Sequence, residues 1–127
     1  KPGQFVHLKI NRTQASYDPL LRRPFSLHDV RPEEGLVKLL YRVQGRGTKI
    51  MTRFGAGDEL EILGPLGNGF NLKKKEEKIL IIGGGMGIVP LYYLARKLEN
   101  NNQLMVLLGT NCFQELKYYQ KKALYST

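Results

Sequence analysis

Cysteine is almost absent from this chain, with Cys112 the only one. No intrachain disulfide can form, which favours a reducing compartment. One thiolate cannot hold an iron–sulfur cluster or a structural zinc site either. Histidine is nearly as scarce: His7 and His28 stand far apart, and no metal-ligand spacing exists. Cys112 lacks a histidine neighbour to activate it and reads as a small loop or partly buried residue. There is no Ser–His–Asp arrangement and no paired-carboxylate signature, so hydrolysis has no residues to carry it. An enzyme built on this chain must take its chemistry from a cofactor. No apolar run approaches the ~20 residues that span a bilayer, and no charged-then-apolar signal region opens the chain. A soluble, cytoplasmic protein without membrane attachment is expected.

What the chain has in quantity is glycine and positive charge, with 14 glycines and a net charge of +9 over 127 residues. That balance favours anionic ligands, an acidic protein partner or nucleic acid. The densest basic run, Lys73-Lys74-Lys75, is followed at once by Glu76-Glu77, which is the pattern of a solvated linker. The interleaved aromatic and basic strand residues of a stacking platform are missing. No nucleic-acid partner is therefore expected, and a basic nucleic-acid-binding barrel module is kept as the alternative of another class.

The chain changes character near residue 71. Before it, short strand-like runs are broken by Gly and Pro: Phe5 to Ile10, Pro24 to Val30, Leu36 to Val43 and Glu59 to Leu63. A short helix over Thr48 to Phe54 is expected, with Thr48 as N-cap and Gly55 as stop. Short antiparallel strands with one small helix suggest a barrel. After the break, Ile79 to Ile82 is continuously apolar, as in a strand buried on both faces of a parallel sheet. Gly83 to Gly87 makes a loop, Ile88 to Leu98 has helical apolar spacing, and Leu104 to Leu108 is a second strand. Together these form a right-handed βαβ unit. Glu115 to Lys122 opens a further helix. The predicted organisation is a barrel segment over residues 1–70, a linker over 71–78 and the start of a nucleotide-binding α/β domain over 79–127.

Four segments carry candidate chemistry. Gly83 to Gly87 lies between strand and helix, where glycines let the backbone approach a phosphate and the helix start presents unpaired N–H groups. It is a poor dinucleotide fingerprint, because Pro90 stands where the third glycine should be. The second strand also ends in Gly109-Thr110-Asn111, without the acidic ribose-binding residue. In Arg23-Pro24-Phe25-Ser26, the arginine can pair bidentately with a phosphate and the serine can donate and accept at a ring edge. Gly45-Arg46-Gly47-Thr48 is a second phosphate cradle or a plain strand-to-helix turn. Tyr41, on the strand before it, is either a ligand contact or a packing residue. Gly64 to Phe70 is a junction loop, a kind of place that ligands favour.

In this order, Pro2-Gly3-Gln4-Phe5, Arg23-Pro24-Phe25-Ser26, Gly45-Arg46-Gly47-Thr48, Gly64-Pro65-Leu66-Gly67 and Gly84-Gly85-Met86-Gly87-Ile88-Val89-Pro90 resemble the ferredoxin–NADP reductase superfamily. The run Gly67-Asn68-Gly69-Phe70 and the stretch Gly83 to Leu94 most resemble the electron-transfer subunits of dihydroorotate dehydrogenase B. Related subunits of hydrogenases and NAD(P)H–ferredoxin transhydrogenases remain open. The resemblance implies an antiparallel FAD-binding β-barrel, incomplete here, followed by the start of an α/β parallel-sheet nucleotide-binding domain. It implies that Arg23 contacts the FAD phosphates, that Ser26 lies near the reactive flavin nitrogen, and that Pro24 and Phe25 line the flavin. Leu40, Tyr41 and Arg42 would flank FAD. Gly47 and Thr48 would form the pyrophosphate-binding helix start, and Gly84, Gly85 and Gly87 would face the nicotinamide nucleotide. It further implies electron exchange among NAD, FAD and an iron–sulfur centre in pyrimidine biosynthesis, within a hetero-oligomer that includes an FMN-type catalytic dehydrogenase subunit. The 2Fe–2S cluster is expected in the full-length parent rather than in this chain, which lacks the cysteines for it. Phe25 stands where many relatives have Tyr. The chain is expected to be a fragment lacking both ends, and a flavin-free scaffold that has kept only the fold is a further alternative.

Overall fold

Alternation organises the first half. In β1 (Phe5–Lys9), Val6 and Leu8 turn inward and are buried, as is Ile10 just beyond, while Lys9 stays exposed. The computed structural model describes residues 1–10, 21–73 and 75–110. In it β1 lies between two antiparallel neighbours, β2 (Arg23–Arg31) and β4 (Glu61–Leu66), and β3 (Leu36–Leu39) pairs on the far side of β2. Phe5 faces Ser26 across one ladder and Leu66 across the other. The inward residues Val6, Leu8, Ile10, Phe25 and Leu27 form one core. The short helix α1 (Arg46–Met51) closes it by burying Met51.

The strand order β3-β2-β1-β4 leaves β3 and β4 as unpaired edges, so the described residues form an open antiparallel sheet and not a closed barrel. The third strand stops at Leu39, short of the predicted Val43, and residues 40–45 run on without a ladder partner. Thr48 is not the N-cap. That position is Gly45, and Thr48 sits one turn in, where its Oγ1 accepts from the backbone N–H groups of Gln44 and Gly45 at 3.0 and 3.1 Å.

The second half is a parallel pair, β5 (Lys78–Gly84) and β6 (Gln103–Gly109), joined through the helix α2 (Val89–Leu98). One sheet face meets α2, where Ile81, Leu94 and Leu98 are buried together. The other does not fit the expectation of burial on both sides: Leu80, Ile82, Met105 and Leu107 stay exposed. Side chains alternate across a strand, and the only long helix of this half lies on the opposite face among the described residues. The stretch predicted as a free linker is partly tied down. Glu76 N–H donates to Asn101 O at 2.7 Å, and Gln103 N–H to Glu77 O at 3.0 Å. Leu72 packs against the α2 core. The predicted helix over 115–122 and Cys112 lie outside the described residues.

The start of the chain and the junction loop lock together. Gly3 takes a φ of +88°, and a Cβ there would sit 2.8 Å from the Phe70 ring. Phe70 N–H donates to Pro2 O at 2.9 Å, and Gln4 Nε2 to Gly67 O at 3.0 Å. The β4 edge is held by charge. Glu61 pairs with Arg22, and with Lys9 at 3.1 Å. These cations, Arg22 first, hold the Glu61 carboxyl below its ordinary range. A carboxyl lowered in the folded state adds stability at neutral pH that is lost as pH falls through the folded value. Glu61→Gln should therefore lower the melting temperature at neutral pH and flatten the acid limb of a melting-temperature-against-pH curve, meeting the parent at low pH. An unchanged acid limb would discard this role for Glu61.

Candidate functional site

The first site element brings together groups far apart in sequence. Arg23 opens β2, and its side chain runs beneath the start of α1: a Cβ on Gly47 would lie 3.7 Å from both Cγ and Nε of Arg23. The Arg23 stem thus lies in contact range of the helix start, while the tighter neighbour of Gly47 is Ile10, whose Cδ1 would stand 3.3 Å from such a Cβ. The first N–H groups of any helix lack intrahelical partners. Here Thr48 stiffens the approach, also donating its hydroxyl to Gly45 O at 3.0 Å. An arginine fork beside backbone donors is a donor set suited to a phosphate or pyrophosphate.

Along β2, Pro24 is exposed and Ser26 half-buried, on the strand face opposite the core. Phe25, which the resemblance sets along a flavin, is turned into the core with 8% exposure, edge-on to Tyr41 at a centroid distance of 5.7 Å. Tyr41 is partly buried against the same core. Leu40, Tyr41 and Arg42 follow β3 and do not belong to it.

The third element is the turn after β5. Gly84 ends the strand opposite Gly109 of β6, and residues Gly85–Ile88 form a single tight turn before α2. This is the carboxyl end of a parallel pair, where ligands settle in open α/β sheets. Gly85 has φ +48°, and a Cβ on Gly85 or Gly87 would meet nothing within 4 Å. Close strand–helix packing comes from Gly83, where a Cβ would stand 2.6 Å from Leu91 Cδ1. The strand therefore supplies the small residue that the sequence sought at Pro90.

A polar cluster that the sequence reading missed joins these elements. His28 Nδ1 donates to Val89 O at 2.8 Å, and the ring stacks on Tyr92 at 4.8 Å. Asp29, with 0% exposure, accepts from Arg96 at 2.8 Å, from Arg31 Nε at 3.3 Å and from Val30 N–H at 3.0 Å. Arg96 also donates to Val30 O at 2.9 Å. Part of the signal was available, since a carboxylate inside a buried strand demands partners; the irregular register between Leu27 and Asp29, which lets His28 and Asp29 both reach α2, was not. The junction loop, by contrast, is packed on the chain start. Its Phe70 and Asn71 border a cavity of about 400 Å³ with Ile79, Leu94 and Leu98, at the end of β5 away from the glycine turn. Among the described residues no cluster of His, Cys, Asp or Glu could hold a metal, and no helix is long and apolar enough to cross a membrane.

No family model matches the chain. It is 42% identical over 123 residues to the electron transfer subunit of dihydroorotate dehydrogenase B (NAD(+)) from Shouchella clausii, covering 94% of this chain and 46% of that protein. The subunit of the same name from Geobacillus kaustophilus is 46% identical over 108 residues, covering 84% of this chain and 41% of the relative. The chain thus spans somewhat less than half the length of the curated relatives it matches. Among solved structures, an NADH-dependent reduced ferredoxin–NADP oxidoreductase aligns with a TM-score of 0.78 and 28% identity over 98% of this chain and 45% of that one. A cytochrome P450 reductase from Amycolatopsis aligns with a TM-score of 0.67 at 24% identity, over 97% of this chain and 39% of that one, and shares the fold. Over most of its length, then, the chain is a homologue of the electron-transfer subunits of dihydroorotate dehydrogenase B, with ferredoxin reductase-like structural neighbours.

Proposed function

We propose that this chain is the flavin- and nicotinamide-facing part of the electron-transfer subunit of a dihydroorotate dehydrogenase-type complex, an oxidoreductase of cytoplasmic pyrimidine biosynthesis. Residues 1–70 form part of an FAD-binding barrel closed in the whole protein, 71–78 the connection, and 79–127 the start of the NAD-binding domain. The observation that carries the reading is the meeting of Arg23 with Gly47 at the start of α1. It makes a phosphate corner from two segments that the resemblance assigns to one FAD pyrophosphate. Arg23 neutralises the phosphates, and Gly47 and Thr48 bring backbone donors to them. Pro24, Ser26 and Tyr41 bound the ring, with Leu40 and Arg42 flanking it and Phe25 supporting Tyr41 from the core. Gly84, Gly85 and Gly87 leave room for the nicotinamide nucleotide. When bound, the flavin would exchange two electrons at once with NAD(H) and one at a time with a 2Fe–2S centre outside this chain, which in the dehydrogenase direction would relay them from an FMN-type catalytic subunit.

The test is an anaerobic spectrum of the full-length subunit. A flavin band that bleaches on adding NADH is expected; a protein purified without flavin, and not reconstituted by FAD, would remove the reading and favour a bare scaffold. The similarity to a ferredoxin–NADP oxidoreductase supports a second reading, a transhydrogenase or hydrogenase reductase subunit. Reduction of the flavin by dihydroorotate through the co-purified partner separates the two: it occurs only in the first.

A further inference from the structure

We propose that His28, Asp29 and Arg96 form a clasp whose task is positional: it sets where the Gly84–Gly87 turn stands relative to the strand that carries Arg23 and Ser26. The proposal rests on the functional reading above. The clasp joins the right parts. Val89, whose carbonyl receives the His28 proton at 2.8 Å, is the first residue of α2, directly behind the glycine turn. Ser26 precedes His28 by two residues on the same strand, and the register irregularity between Leu27 and Asp29 lets His28 and Asp29 both reach α2. A short, stiff path therefore links the two ligand-facing segments through a single hydrogen bond and a ring stack.

The ion pair fixes the rotation of α2. Arg96 lies two turns along the helix from Val89 and reaches Asp29 at 2.8 Å and Val30 O at 2.9 Å, so the helix is held to β2 at both of its ends. With His28 and Asp29 adjacent on β2, neither sliding nor turning of α2 preserves both contacts. The chemistry also argues against a purely stabilising role. A buried ion pair adds little net stability over apolar packing of the same shape, and orientation is what it specifies best. His28 Nε2 and Arg96 Nε are buried with no partner among the described residues, a cost that apolar packing would avoid. Reactions between two bound rings are sensitive to this kind of placement, since a misplacement of about 1 Å can lower a rate about a hundredfold.

The test uses the full-length, FAD-loaded subunit with its partner. Asp29→Asn keeps the side-chain shape and removes the charge; Arg96→Gln removes the charge and shortens a side chain that is 24% exposed, and carries the test should the first variant not fold. Three readouts are compared: FAD retention with melting temperature, the long-wavelength absorbance of a nicotinamide stacked on a flavin, and hydrogen exchange of the amides of residues 84–92. The expected result is FAD retention within about twofold of the parent, stacking absorbance and NADH-dependent bleaching rate lowered about tenfold or more, and faster exchange at 84–92. Arg96→Lys, which keeps the charge, should recover much of the absorbance. Parent-like absorbance and exchange in both variants would overturn the clasp. So would losses in step with FAD retention and melting temperature, because those mark a structural role alone. A parent protein that NADH does not bleach would overturn the functional reading, and the clasp with it.

Discussion

Arg23→Ala in the full-length subunit is expected to weaken FAD retention about tenfold to a hundredfold, read by equilibrium dialysis of the flavin. A charge-assisted hydrogen bond is worth about 1.5–3 kcal/mol, and each 1.4 kcal/mol is about tenfold in affinity. Arg23 lies against Gly47, so its loss removes the cation of the corner while leaving α1 and the Thr48 hydrogen bonds to Gln44 and Gly45 in place. Arg23→Lys should fall between the two, because an ammonium keeps the charge and loses the planar fork. The melting temperature of the flavin-free protein should barely move. Unchanged FAD affinity in a folded Arg23→Ala subunit would remove Arg23 from the site.

Leu8→Ala is expected to cost about 3 kcal/mol of folding stability, within the range for buried leucine truncations, as measured by denaturant midpoint. Leu8 has 0% exposure and belongs to the single core of the antiparallel sheet, on the strand flanked by two partners. Its neighbour Lys9 points the other way and is exposed, with a contact to Glu61 at 3.1 Å. Lys9→Ala should shift the midpoint by a few tenths of a kcal/mol at most, as exposed pairs do. Comparable effects from the two changes would mean that β1 is not the centre of this sheet.

Much of the fold was legible because period-two alternation and glycine placement are local. Val6, Leu8 and Ile10 mark the inward side of β1 from sequence alone, and Ile81 with Leu94 and Leu98 marks the strand–helix seam. Pairing partners were less legible. Nothing local shows that Phe5 sits opposite both Ser26 and Leu66, or that β3 ends at Leu39. The candidate site divides in the same way. Arg23 and Gly47 were each visible as phosphate-binding types, but their contact belongs to the tertiary structure. Phe25 shows the limit most plainly: an aromatic in a flavin-type motif is also a good core residue, and burial went to the core. Asp29 was passed over because its meaning depends on Arg96, a residue on the other side of the glycine turn.

The position of β1 between β2 and β4 has a consequence for assembly. The ladder from Phe5 to Leu66 closes a long stretch of chain, and both Arg23 and the start of α1 lie inside that stretch. Loop-closure entropy rises slowly with length, yet such non-local pairing is a slow step in folding. A ligand that needs Arg23 and Gly47 together binds only after that stretch is drawn in, so its binding energy is added to the closing of the β1–β4 ladder. The Arg23–Gly47 corner and the edge strand β4 are thereby linked, and if FAD binds at that corner, saturating FAD should slow the opening of β4 as seen by amide exchange at Ile62 and Leu63.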